Sequence, residues 1–166
     1  MNGIKQLRYA LAAALLGAGA AGPVSAQEAP KELGLVYVDA GDPKMEAAKQ
    51  QGRSTLPTFF AHLASPGADE GDFALKFNLT PDRSGAEFIW AGELQVDRAG
   101  KITGVLNNVP IDTRFTQGQR VTIDRALIVD WGYRKGAVYQ GNYTTRELLN
   151  RMSPEEAAQI RAALGW

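Results

Sequence analysis

Two carboxylates in this chain could do acid–base work. Asp130 sits in the word Ile128-Val129-Asp130-Trp131-Gly132-Tyr133, and Glu87 opens Glu87-Phe88-Ile89-Trp90. Placed on two strands, roughly 5–10 Å apart across an open cleft, such a pair could hydrolyse a glycosidic bond as acid and base. Spacing along the chain does not fix their separation. The alternative for Asp130 is structural, because a buried carboxylate must be paired or hydrogen-bonded: it would accept backbone N–H groups at a strand end or pair with Arg146. His62 is the single histidine, and cysteine is absent. One imidazole and no thiolate do not make a zinc site. A Ser-His-Asp triad would have to use His62, which falls beside Phe59 and Leu63 near the apolar stripe of a helix. No glycine-rich word has phosphate-loop spacing, and Asp69, Glu70 and Asp72 are too few for a calcium loop. No cofactor and no metal are expected, and the balance leans away from an enzyme.

Groups that could recognise a partner are densest in residues 128–147. Trp131, Tyr133, Arg134, Asn142, Tyr143 and Arg146 all fall there. Trp, Tyr and Arg dominate binding hot spots, so an exposed set would suit a protein or glycan partner. The competing reading is core packing for the aromatics and turn chemistry for Asn142.

The elements that must position these groups start after an unrelated leader. Lys5 and Arg8 form a basic n-region, residues 10–21 an apolar h-region, and Val24-Ser25-Ala26 a small-x-small cleavage site. We expect a signal peptide over residues 1–26, cut after Ala26, and hence a periplasmic or secreted protein. The apolar run is short of the roughly 20 residues of a spanning helix, so no membrane span is expected after cleavage. Losing Lys5 and Arg8 from 18 basic residues leaves 16 against 18 acidic, a formal net of −2. That balance offers no basic field for nucleic acid. Without cysteine, a secreted domain must be stabilised by its core.

Residues 27–41 read as a leader with a short β-prone run at Leu35 to Val38, and residues 42–166 as a single α+β domain. Asp42-Pro43 reads as N-cap and first helical residue. Met45, Ala48, Gly52, Leu56, Phe59, Phe60 and Leu63 then keep one helical stripe. This predicts one long helix over residues 43–64 kinked near Pro57, or two helices with Ser54 or Thr55 capping the second. Phe73, Leu75, Phe77 and Leu79 alternate as one strand. Phe88, Trp90, Gly92, Leu94 and Val96 alternate as a second, with a largely polar outer face. Hairpin turns follow at residues 98–101 and 134–136, and a short strand at Val121 and Ile123. Thr144 with Glu147, and Ser153 with Glu156, have capping-box spacing and start two short C-terminal helices. The fold class is α+β: a curved antiparallel sheet with a long N-terminal helix packed on it and short C-terminal helices.

The words Asp42-Pro43-Lys44-Met45-Glu46-Ala47-Ala48, Thr55-Leu56-Pro57-x-Phe59, Gly104-x-Leu106-x-Asn108-x-Pro110, Ile128-Val129-Asp130-Trp131-Gly132-Tyr133 and Gly141-Asn142-Tyr143-Thr144-x-Arg146 together resemble the bacterial family known as domain of unknown function 2314, the YegJ-like exported proteins. The resemblance runs over essentially the whole chain after the leader. Where that family has a Glu-His-x-Trp word, this chain has Glu87-Phe88-Ile89-Trp90, so no acid–base or metal role is carried over to that position. The resemblance implies the fold and leaves the activity open. Three functions follow as expectations: a non-enzymatic periplasmic binding or interaction module, a cell-wall-directed hydrolase using the carboxylate pair, and an accessory subunit of a larger envelope assembly.

Overall fold

The computed structural model describes residues 6–9, 36–83 and 85–166. The predicted cleavage point at Ala26 lies outside the described residues. Eight strands and four α-helices occur in the order β1 (Gln6–Tyr9), β2 (Val36–Asp39), α1 (Pro43–Ser54), α2 (Leu56–Ala64), β3 (Glu70–Asn78), β4 (Glu87–Val96), β5 (Ile102–Leu106), β6 (Arg120–Ile123), β7 (Ile128–Lys135), β8 (Val138–Gly141), α3 (Tyr143–Leu149) and α4 (Pro154–Leu164). The strands form one sheet with the spatial order β2-β1-β4-β3-β7-β8, and β5 and β6 continue from β4. Every pairing is antiparallel except β1 on β4. The long β4 carries two neighbours end to end on one edge. Its Glu87 and Phe88 meet β1, and its Ala91 to Val96 meet β5.

The α+β class holds; the long N-terminal helix does not. The helical stripe is continuous, but two short helices meet at Thr55, which ends α1 and begins α2. The Thr55 hydroxyl donates to the carbonyls of Gln51 and Gly52 at 2.7 and 3.2 Å. It also accepts the Trp131 indole N–H at 2.9 Å. The α-helical start at Asp42-Pro43 forms as read, with the Met45 N–H donating to Asp42 Oδ1 at 2.9 Å.

This corner wraps the sheet. β8 covers β7 only from Gly132 onward, so among the described residues no strand lies beside the outer edge of residues 128–131. The end of α1 fills that place. Arg53 Nε donates to the Ile128 carbonyl at 3.3 Å. A Cβ on Gly52 would stand 2.5 Å from the Val129 carbonyl oxygen, so only glycine lets the helix come this close. Beyond the corner, Leu56 and Phe59 of α2 join the core of Leu75, Phe77, Ile89, Ala91, Trp131 and Tyr133. Met45 of α1, Leu148 and Leu149 of α3, and Ala157, Ile160 and Leu164 of α4 form a second core with Tyr9, Val38, Phe88 and Val129.

Two cores correct the polar outer face expected of β4. Glu87 to Gly92 are all buried, because helices cover one side of the sheet and the α2 side covers the other. On a sheet buried on both faces, alternation no longer separates core from solvent.

Candidate binding site

The register of β3, β4 and β7 decides what the chemistry-bearing residues face. Lys76 pairs with Trp90 on one side and Asp130 on the other, which puts the three side by side on one face. The pairing of β3 with β4 runs unbroken from Asn78–Phe88 to Leu75–Ala91. Glu87, three residues from Trp90, therefore points to the opposite face.

Asp130 is fully buried, and its oxygens hold the chain rather than a substrate. Oδ1 accepts the N–H groups of Trp131 at 2.8 Å and Tyr143 at 3.2 Å. Oδ2 accepts the N–H of Thr144 at 2.7 Å and its hydroxyl at 2.6 Å. The aspartate thus caps α3 from a strand 13 residues upstream of Tyr143. The capping box expected at Thr144 does not form: Asn142 occupies the N-cap position and its side chain makes no capping bond. Its structural alternative partner, Arg146, instead donates to the Gly141 carbonyl at 3.1 Å and lies over the Trp166 ring at 3.6 Å. By contrast, the second box is half made: the Glu156 N–H donates to Ser153 Oγ at 3.3 Å, while the Glu156 carboxylate accepts the Ser153 hydroxyl at 2.9 Å rather than its backbone N–H.

Glu87 is also spent on backbone. Its oxygens accept the Ile111 and Asp112 N–H groups at 2.7 and 3.2 Å. It floors a cavity of about 90 Å³ lined by Thr80, Arg83, Gly85, Ile111 and Asp112, well below the roughly 300–1,000 Å³ of ordinary ligand pockets. Arg83 and Arg114 there are paired with Asp112 at 3.0 and 2.8 Å. Arg114 first, and then its own N–H, hold the Asp112 carboxyl at about 2. Asp130 and Glu87 do not flank one cleft, and the hydrolytic pair does not assemble.

The expected aromatic platform is mostly interior. Trp131 and Tyr133 are buried, and Tyr133 is stacked with His62 and with Phe73 at 5.1 and 5.0 Å. Asn142 is buried in a left-handed conformation, φ 57°, and donates to the Gln140 carbonyl at 3.0 Å. Tyr143 is half-buried, edge-on to Trp131 at 5.8 Å. Arg146 is exposed; Arg134 is half-buried and bonded to Asp72 at 2.8 Å.

His62 serves a local purpose. Its Nδ1 lies 2.9 Å from Glu70 Oε2, and Glu70 also accepts from the Gly67 N–H at 3.0 Å and from Lys135 at 3.1 Å. The Gly67 N–H first, then His62 and Lys135, hold the Glu70 carboxyl at about 2 against an ordinary 4.5. A carboxylate lowered on folding stabilises the fold above its unfolded value and loses that contribution as pH falls toward its folded value. The urea midpoint should therefore drop as pH falls from 4.5 toward 2, and the slope should be shallower in Glu70→Gln.

One constellation had no sequence signal. Lys76 is fully buried, its amine donating to the Thr144 hydroxyl at 3.2 Å and lying 5.3 and 5.2 Å from the Tyr9 and Trp90 ring centres. Burial pushes the amine down to about 7, and the Asp130 carboxylate opposes that shift. Tyr9 closes this chamber, stacked on Phe88 at 4.6 Å and wholly buried. Among the described residues, neither the Tyr9 hydroxyl nor the Trp90 indole N–H has a hydrogen-bond partner. A lysine at an alternating strand position reads as solvent-facing, and a tyrosine beside an h-region reads as leader.

The family model described as "Uncharacterized protein conserved in bacteria (DUF2314)" matches residues 42–166. The chain belongs to the DUF2314 family. It is also similar to "Uncharacterized protein YegJ" of Escherichia coli (strain K12), 35% identical over 121 residues, which is 72% of this chain and 76% of that protein. No solved structure matches. The words that carry the DUF2314 resemblance meet in space. Asp130 bonds Thr144, and the Asn142 N–H donates to the Trp131 carbonyl at 2.8 Å. Asn107 and Asn108 accept the Gly92 and Trp90 N–H groups at 3.2 and 3.3 Å. These bonds tie β7 to α3, and β4 to the segment that follows β5. Among the described residues, no helix is long and apolar enough to cross a membrane.

Proposed function

We propose that this protein is exported, is cut after Ala26, and works in the periplasm or outside the cell as a non-enzymatic module that binds another macromolecule. The n-region, h-region and Val24-Ser25-Ala26 word support export. The observation that carries the binding role is the position of β1. This strand comes from the segment that cleavage removes, yet it holds the Glu87–Phe88 end of β4 and is the strand on which β2 is paired. A mature chain would present that end of the sheet to something else.

The test is to express the full chain with its own leader, fractionate the cells and weigh the protein intact. A periplasmic or secreted species beginning at Gln27 is the expected result. A cytoplasmic species retaining residues 1–26 would end the reading. Crosslinking of the exported species in place, followed by mass spectrometry, should then return a protein or glycan conjugate.

A further inference from the structure

We infer that the mature chain carries a slot one strand wide, between β2 and β4, which takes an extended segment of a partner protein bearing an aromatic side chain. The inference rests on the export reading above and specifies the ligand class and the site.

The slot has two walls that both lie after Ala26. On one side is β4, whose Phe88 backbone pairs in parallel with Tyr9; on the other is β2, whose Val38 pairs antiparallel with Leu7. Their common neighbour is β1 alone, so removal of β1 frees the facing edges of both. Unpaired strand edges are the template for strand addition, in which main-chain hydrogen bonds supply affinity and side-chain pockets supply selectivity.

The pocket is defined by what Tyr9 occupies. Its ring stacks on Phe88 at an interplanar angle of 15°, and the Lys49 amine lies over the Phe88 ring at 5.2 Å. Lys76 approaches the Tyr9 ring as a cation over a π face. Val38 and Met45, both buried, belong to the same core. A phenyl-sized ring fits all of these contacts. A hydroxyl is not asked for: the Tyr9 O–H is buried, with no hydrogen-bond partner among the described residues. A buried polar group left unpaired is unfavourable, so the slot should take phenylalanine at least as well as tyrosine.

Geometry also sets direction. The guest must run parallel to β4 and antiparallel to β2, as β1 does. A segment of about four residues suffices to span it, with its aromatic placed opposite Phe88.

The experiment uses the exported protein after its intact mass has shown a start at Gln27. The probe is a synthetic peptide of residues 4–11 of this chain, titrated with its Tyr9→Phe and Tyr9→Ala forms, and read by amide shifts of Val38 and Phe88. Saturable shifts at both residues are expected. The Tyr9→Ala peptide should bind roughly tenfold or more weakly, the loss of one buried aromatic. The Tyr9→Phe peptide should bind as tightly or more so. In Lys76→Met protein the preference for the aromatic peptide over the Ala peptide should narrow.

No shifts with a protein that starts at Gln27 would overturn the slot while leaving export standing. Contacts between Val38 and Phe88 backbone in the free protein, with β2 paired directly on β4, would overturn it as well. A mature dimer that the peptide dissociates would assign the edge to a second copy and overturn the foreign strand. A protein that keeps residues 1–26 would overturn both readings together.

Discussion

Asp130→Ala should cost the fold about 3–5 kcal/mol, the loss seen when one member of a buried charged network is removed. Three backbone N–H groups and one hydroxyl converge on this carboxylate. Alanine leaves all of them without that acceptor inside the protein, and each buried orphan is costly. It also leaves the Lys76 amine buried without its countercharge. Burial pushes the Asp130 carboxyl up, and the Thr144 hydroxyl first, then Lys76 and the backbone donors, pull it back. Urea unfolding at fixed pH checks the size. Asp130→Asn is the sharper probe, since its amide turns a donor toward donors at Thr144; about 2–4 kcal/mol is expected. Adding Lys76→Met should return about 1–2 kcal/mol, because the buried amine left without its countercharge is then gone and a side chain of similar volume fills its place. A double mutant no more stable than Asp130→Asn would show that the two groups are energetically independent.

Gly141→Ala should cost about 3 kcal/mol or more, and its effect should reach the aromatic core. Gly141 has φ 69° and precedes Asn142 at φ 57°, two left-handed residues that swing the chain from β8 into α3. A non-glycine residue there costs roughly 1–2 kcal/mol from its backbone alone. A Cβ would also press into the Trp131 carbonyl oxygen and the indole ring. Neither can retreat freely: the Trp131 carbonyl accepts the Asn142 N–H, and the ring packs on Phe59 at 5.6 Å. Overpacking a rigid site adds roughly 1–3 kcal/mol. Thermal unfolding and the near-UV circular dichroism of Trp131 would register both parts. Gly136→Ala separates them, since Gly136 has φ 58° with nothing within 4 Å of a Cβ; it should show the backbone part alone and leave the near-UV spectrum unchanged.

These two sites show what local sequence reading can reach. The caps at Asp42 and Ser153 were legible because donor and acceptor lie three residues apart. So was the turn before β5, where Asp97 accepts the Ala99 and Lys101 N–H groups. The cap on α3 was not, because its acceptor comes from β7. Thr144 and Glu147 had the right spacing for a box, yet the Thr144 hydroxyl turned to the stronger, charged acceptor at Asp130. The strands of the sheet were visible as alternation. The burial of their second face was not, since it depends on which helices land there. Lys76 and Trp90 are the cost of that blindness: alternation assigned them to different surroundings, while the register sets them side by side. Among the candidate binding residues, Trp131, Tyr133 and Asn142 went to the interior and Arg134, Tyr143 and Arg146 stayed at or near the surface, a division that residue type alone does not encode.

The corner at Thr55 has a further bearing, on solubility. A bare strand edge carrying Ile128, Val129 and Trp131 would recruit the same edge of other molecules. Here a helix end lies along it, fitted by Gly52 and pinned by Arg53. Loosening that corner should expose this edge, so a Gly52→Val variant is expected to lose protein to aggregation on heating, which light scattering would register. The two-helix form that replaces one long rod thus lays a covered end of helix along the open part of β7.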